Sequence, residues 1–216
     1  MVYQGPVVDP TLPPAVAGPA FLADGTEVWV RPVQSSDGEL LRDFVDQEPP
    51  GSPGLRHLAA IRQVLAREPI DTPSAPQVRL SLLVLGDRAD RVAVLGIGEY
   101  ARTGADPTVA DVAFFVAGPL HGRGIATLLL ARLARAARAY GVLRFEARAP
   151  AEDPEMLEVF RGRGLPLSEE GSQGDIDVLI PLNPEAGTTG AMAPGGALGP
   201  RATAGRLRLS ALRSRA

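Results

Sequence analysis

The stretch of this sequence best suited to chemistry is His121-Gly122-Arg123-Gly124-Ile125-Ala126, which stands between an apolar run and an arginine-striped segment. Two glycines let a backbone turn tightly and come close to a ligand. Where such a loop opens a helix, unpaired N–H groups and the positive end of the helix dipole suit an anion. The amides from Gly122 to Thr127 can therefore cradle a diphosphate, with Arg123 adding charge. The same residues also read as a plain strand-to-helix turn. They are neither a P-loop, for want of Lys-Ser/Thr, nor the G-x-G-x-x-G of dinucleotide folds. Cysteine is absent, which removes disulfides, thiolate metal sites and thiol nucleophiles. His57 and His121 are the 2 imidazoles, so no metal is expected.

The elements around the loop follow from hydrophobic period. Glu27 to Val33 alternates and ends near Pro32, as a first strand does after the Asp24-Gly25 turn. Ser36 and Glu39 have capping-box spacing ahead of Leu40, Leu41, Phe44 and Val45, and Leu55, Leu58, Ile61, Val64 and Leu65 mark a second helix. Three apolar runs, Val78 to Leu85, Arg91 to Arg102 and Thr108 to Ala117, are split by turn-forming residues and predict an antiparallel meander. Ile125 to Tyr140 then changes to helical period, with Leu129, Leu133, Ala136 and Tyr140 on one side and Arg132, Arg135 and Arg138 on another. A strand over Val142 to Ala149, a short helix opening at Asp153-Pro154 and a strand over Ile176 to Leu182 complete the order.

The 216 residues, 45% apolar and 22% charged, suit one domain with a sizeable core. Pro/Gly/Ala-rich composition predicts disorder over residues 1–20 and 183–216, leaving a folded unit over 21–182. The last 31 positions hold Arg201, Arg206, Arg208, Arg213 and Arg215 and no acid, against a net charge of −3 for the whole chain. Without interleaved aromatics this tail reads as solvated, and nucleic acid is not the expected partner. No run of about 18 apolar residues and no basic leader is present, so no membrane partner is expected and the cytoplasm is the default location.

Taken with its flanks, the run Ala110-Asp111-Val112-Ala113-Phe114-Phe115-Val116 followed by His121 to Ala126 resembles the signature of the GNAT superfamily: a strand, Q/R-x-x-G-x-G/A, then a helix. His121 stands where Gln or Arg is usual, and Gly124 and Ala126 match the small positions. Glu152-Asp153-Pro154-Glu155-Met156-Leu157-Glu158-Val159-Phe160 is similar to the later E-N-x-x-M-L-x-x-F/Y helix. Asp24-Gly25-Thr26 with Val30-Arg31-Pro32-Val33, and Gly96 to Arg102, resemble Pat-type bacterial protein-lysine acetyltransferases.

The resemblance implies an α/β (α+β) GNAT fold, with a mixed, mostly antiparallel sheet of six to seven strands and about four helices. It implies transfer of an acetyl group from acetyl-CoA, the co-substrate, to a primary amine on a protein lysine or a small molecule. The implied cofactor-binding residues are Phe115, Val116, His121, Gly122, Arg123, Gly124, Ile125, Ala126, Thr127, Asp153 and Phe160, with a backbone N–H near Val116 polarising the carbonyl. Asp111 occupies the place of the Pat-type catalytic Glu. A hairpin centred between Ala105 and Asp106 would set Tyr100 opposite Asp111 on one face, with Glu99, a second candidate base, on the other. Asp153 replaces a customary Asn and Phe160 a customary Tyr, so Tyr100 or water must supply the leaving-group proton. Arg161 and Arg163 could meet the 3′-phosphate. These substitutions keep a second expectation open, a catalytically weak acyl-CoA-binding regulatory module.

Overall fold

The computed structural model describes residues 12–49, 55, 58–68, 75–89, 91–150, 169–172 and 175–182. Eight strands form one sheet: β1 (Gly18–Phe21), β2 (Glu27–Pro32), β3 (Arg79–Arg88), β4 (Arg91–Ala101), β5 (Val109–Val116), β6 (Arg144–Pro150), β7 (Glu169–Ser172) and β8 (Asp175–Pro181). Their spatial order is β1-β2-β3-β4-β5-β6-β8-β7. Every junction is antiparallel except β5 against β6, which is parallel. Helix α3 (Ile125–Ala139) covers one face, and α1 (Gly38–Asp46) and α2 (Ala59–Ala66) cover the other.

This layering follows from residues that are apolar on both sides of the central strands. Leu80, Leu82 and Val84 of β3 join Leu129, Leu130, Leu133 and Ala136 of α3 in one cluster. Leu83 and Leu85, on the reverse face, join Leu41, Phe44, Ile61 and Val64 of α1 and α2 in the other. Helix α3 can settle onto β4 because Gly96 has no side chain. A Cβ there would stand 2.8 Å from Ile125 Cγ2 and 3.2 Å from the Phe115 carbonyl oxygen. An added Leu95 in β4, where Val84 pairs with Gly96 but Leu85 with Val94, bends the strand beside this contact.

The mixed, mostly antiparallel sheet agrees with the sequence expectation, with one more strand than six to seven allows. The additions are at the edges. β1 lies in the stretch expected to be disordered: from Leu12 onward that expectation fails, because Leu12 and Val16 are buried against the α3 side. Arg132 supports this arm by donating to the carbonyls of Ala15 and Pro19, the latter at 3.2 Å. The short β7 had no periodic signal. Residues 1–11, the helix expected at Asp153 and the tail lie outside the described residues, which contain three α-helices. The start of α1 also differs. A 3-10 turn, Ser35–Asp37, precedes it, and the capping bond is made there in place of the Ser36/Glu39 pair, the Asp37 carboxylate accepting the Gln34 N–H at 2.7 Å; Asp37 is the N-cap of α1 and makes no side-chain cap bond to it. No helix among the described residues is long and apolar enough to cross a membrane.

Candidate active site

The site is built where β5 leaves β6. Their parallel ladder holds Val109↔Arg144, Ala110↔Phe145 and Asp111↔Glu146 and ends there. Beyond it β5 continues on β4 as far as Gly96↔Val116, while β6 continues on β8 to Pro150↔Asp175. The two strands therefore splay apart toward their C-terminal ends. Ala117 donates its N–H to Leu95 at 3.2 Å, so alternation turns the backbone of Val116 the other way, toward the opening. Phe115 turns its backbone to β4 instead. Its ring packs edge-on to Phe44 of α1 at 5.7 Å, so of the two residues expected to meet the cofactor only Val116 presents backbone to the gap.

From Val116 the chain passes through a 3-10 turn, Gly118–Leu120, into the glycine loop. His121 Nε2 lies 3.0 Å from the Val116 carbonyl oxygen; a carbonyl can only accept, so Nε2 carries the proton and the ring fastens the loop to the strand end. Gly122 and Gly124 have φ of +73° and +85°, a left-handed backbone that side chains rarely adopt, and among the described residues nothing lies within 4 Å of where a Cβ would be. Gly124 is the N-cap of α3 and offers no side-chain cap; no acid occupies the first turn, and Ile125, buried at 1% exposure, anchors the helix start on Gly96. Ala126 and Thr127 are half-buried in that first turn. The loop thus presents the uncapped amides and the positive pole of α3 at an exposed turn.

Arg123 stands between the two glycines and is already engaged. Its Nε and Nη2 donate to Asp24 Oδ2, the former at 2.9 Å, and Nη2 also donates to Thr26 Oγ1 at 3.1 Å. The Thr26 hydroxyl, the Thr26 N–H at 2.9 Å and Arg123 together hold the Asp24 carboxyl well below the usual carboxylate range. This clasp was not foreseen. Asp24-Gly25-Thr26 announces a local turn, but nothing in the sequence says that its carboxylate meets a residue 99 positions away.

Asp111 and Tyr100 do not come together. The register pairs Tyr100 with Val112 and Ala101 with Asp111, so the hairpin centres on Asp106. Asp106 Oδ1 pins that turn by accepting the Thr108 N–H at 2.8 Å and the Thr108 hydroxyl at 2.6 Å. A shift of one residue exchanges faces. Tyr100 is fully buried beside Phe145, 5.8 Å between rings, and its hydroxyl donates to the Pro76 carbonyl. Burial, reinforced by nearby Tyr140, pushes its phenol above the ordinary value, so the hydroxyl keeps its proton and directs it at Pro76.

Asp111 is exposed on the face of α1 and α2, where its Oδ2 accepts the Thr103 hydroxyl. It lines a polar depression with Asp106, Arg144 and Glu146. Glu99, expected on the other face, is the residue that shares this one, as a diagonal neighbour of Asp111. Its carboxylate is 5% exposed and is taken up by the Ser81 hydroxyl at 2.6 Å and the Ala59 N–H at 3.4 Å, with Arg79 Nε at 3.7 Å. Glu99 therefore ties the start of α2 to the sheet. Asp153, Phe160, Arg161 and Arg163 lie outside the described residues.

A splayed β5/β6 pair feeding a glycine loop at a helix start is the arrangement of the GNAT fold, which this chain has. It is similar to the GNAT domain of S. lividans PAT, with 26% identity, a TM-score of 0.65, and coverage of 78% of this chain and 98% of that one. A cAMP-binding acyltransferase from Mycobacterium smegmatis shares 20% identity at a TM-score of 0.54, and the match spans 81% of this chain but 48% of that protein. The structure of yncA from Salmonella typhimurium with its cofactor acetyl-CoA shares 13% identity at a TM-score of 0.51, covering 76% and 99%. No family model matches the chain.

Proposed function

We propose that the chain transfers an acetyl group from acetyl-CoA to a primary amine by direct attack, with Asp111 as the proton acceptor. The observation that carries this reading is the pair of left-handed glycines at the start of α3, placed where β5 parts from β6. The amides of Gly122 to Thr127 would hold the diphosphate of the donor, and the outward backbone edge of β5 its pantetheine arm. Coenzyme A supplies a thioester, whose carbonyl becomes more negative as an amine attacks. An outward amide of β5 near Val116 would stabilise that charge.

Asp111 lies five residues from Val116, about 16 Å at strand rise. It can therefore take the proton of an amine attacking near Val116 only along a chain of waters. The sequestered hydroxyl of Tyr100 leaves thiolate protonation to solvent. That same burial favours a second reading, a module that binds acyl-CoA without turnover. Calorimetry with acetyl-CoA, together with a thiol-release assay against an amine panel, separates the two: binding with release supports transfer, and binding alone supports the module.

The loop assignment has its own test. Gly124→Val forces a β-branched residue into left-handed backbone and projects it over the amides at the start of α3. The strain, about 1–2 kcal/mol, is small beside a folding stability of about 5–15 kcal/mol. The variant is expected to melt cooperatively yet show no measurable heat of coenzyme A binding, and parental affinity would remove the loop from the site.

A further inference from the structure

The Asp24–Arg123 contact joins the β1–β2 turn to the glycine loop, above the core in which Leu22 and Val28 share a cluster with Ile125. Asp24 sits in the turn between β1 and β2, Arg123 at the centre of the glycine loop. The carboxylate is prepared for its partner: Oδ1 is fixed by the Thr26 N–H at 2.9 Å, which leaves Oδ2 to receive two guanidinium nitrogens. The Thr26 hydroxyl completes the pocket at 3.1 Å. A loop with glycine on both sides of its one long side chain has wide conformational freedom, and lost freedom must be supplied when a ligand binds. His121 fastens the first residue of the loop to Val116, and between the two glycines the side chain that reaches outside is Arg123, which points to the β1–β2 turn.

We infer that Asp24 is a positioning residue for acyl-CoA: acting through Arg123, it holds the glycine loop in its anion-receiving shape before the donor arrives. The inference rests on the phosphate-loop reading above and adds a residue from the opposite end of the chain to that site. It also changes the role of Arg123, from a counter-charge for the diphosphate to the tether of the amides that bind it.

The test compares coenzyme A with pantetheine, which has the same thiol arm and no diphosphate, as ligands of the full-length chain. In Asp24→Asn the affinity for coenzyme A is expected to fall roughly fivefold, the scale of one exposed ion pair. Pantetheine affinity should be kept, so the preference between the two ligands narrows by the same factor. Asp24→Glu should recover part of it. Arg123→Gln should show a similar loss, and the double variant should be no worse than the stronger single one, because both remove the same tether. Melting curves establish that each variant is folded.

Parental or tighter coenzyme A binding in Asp24→Asn overturns the proposal, the latter by showing that Asp24 competes with the diphosphate for Arg123. Equal losses for both ligands overturn it as well, since they mean general damage. A parent chain that binds coenzyme A no better than pantetheine refutes the loop reading itself, an outcome distinguishable from failure of the tether alone.

Discussion

Asp111→Asn is expected to lower the rate of acyl transfer at near-neutral pH by up to about 10²-fold, the lower end of what a general base contributes, because the proton reaches Asp111 through water. The amide keeps the shape of the carboxylate and can still accept the Thr103 hydroxyl, but it cannot take a proton. Because Asp111 is exposed, folding should be unaffected, and because it lies away from the glycine loop, coenzyme A affinity should hold. The loss then falls on kcat and kcat/KM together, the signature of an interaction made as the reaction proceeds. Asp111→Glu, which restores the residue of the resembled pattern, should retain activity. A rate for Asp111→Asn equal to that of the parent removes Asp111 as the base and leaves the chemistry to substrate and solvent.

The largest effect on stability is expected from Asp37→Ala. Arg31 and Asp37 are 5% and 2% exposed and face each other through two bonds of 2.6 Å, with the Gln34 N–H on the same carboxylate at 2.7 Å. Truncation removes one partner of a buried, doubly hydrogen-bonded ion pair, a loss that costs about 3–5 kcal/mol. For a chain of this size the thermal midpoint should drop on the order of 10 °C. Arg31 and Asp37 also join β2 to the start of α1, so partial loss should loosen the α1 face that carries Phe44 against Phe115. Replacing both residues with apolar ones of similar volume should recover most of the loss, since no buried charge then loses its carboxylate. A midpoint shift of Asp37→Ala below about 2 °C would show that water reaches Arg31 and compensates it.

Much of this architecture was readable from hydrophobic period. The meander over Arg79–Val116 and the long helix over Ile125–Ala139 fall within a few residues of their expected bounds, because alternation and helical spacing are local and strong there. The glycine loop was also legible as residue types, since left-handed backbone and an uncapped helix start have few other sequences. What failed was register. Whether Tyr100 or Ala101 opposes Asp111 depends on one turn, and the side-chain bonds of Asp106 to Thr108 decide it. That single step moved Tyr100 into the core and brought Glu99 to the face of Asp111. The N-terminal arm was missed for a different reason. Its Pro/Ala composition argued for disorder, whereas Leu12, Val16 and the donors of Arg132 outweigh composition once α3 is present to receive them.

The parallel junction between β5 and β6 has a mechanical consequence. Three paired positions join one antiparallel half, β1 to β5, to another, β6 to β8, fewer than at any other junction among the described residues. Partial opening should start along this seam, and its amide protons should exchange with deuterium early. A ligand lying across it would act as a rivet, so the heat tolerance of the molecule should rise with the level of its own donor.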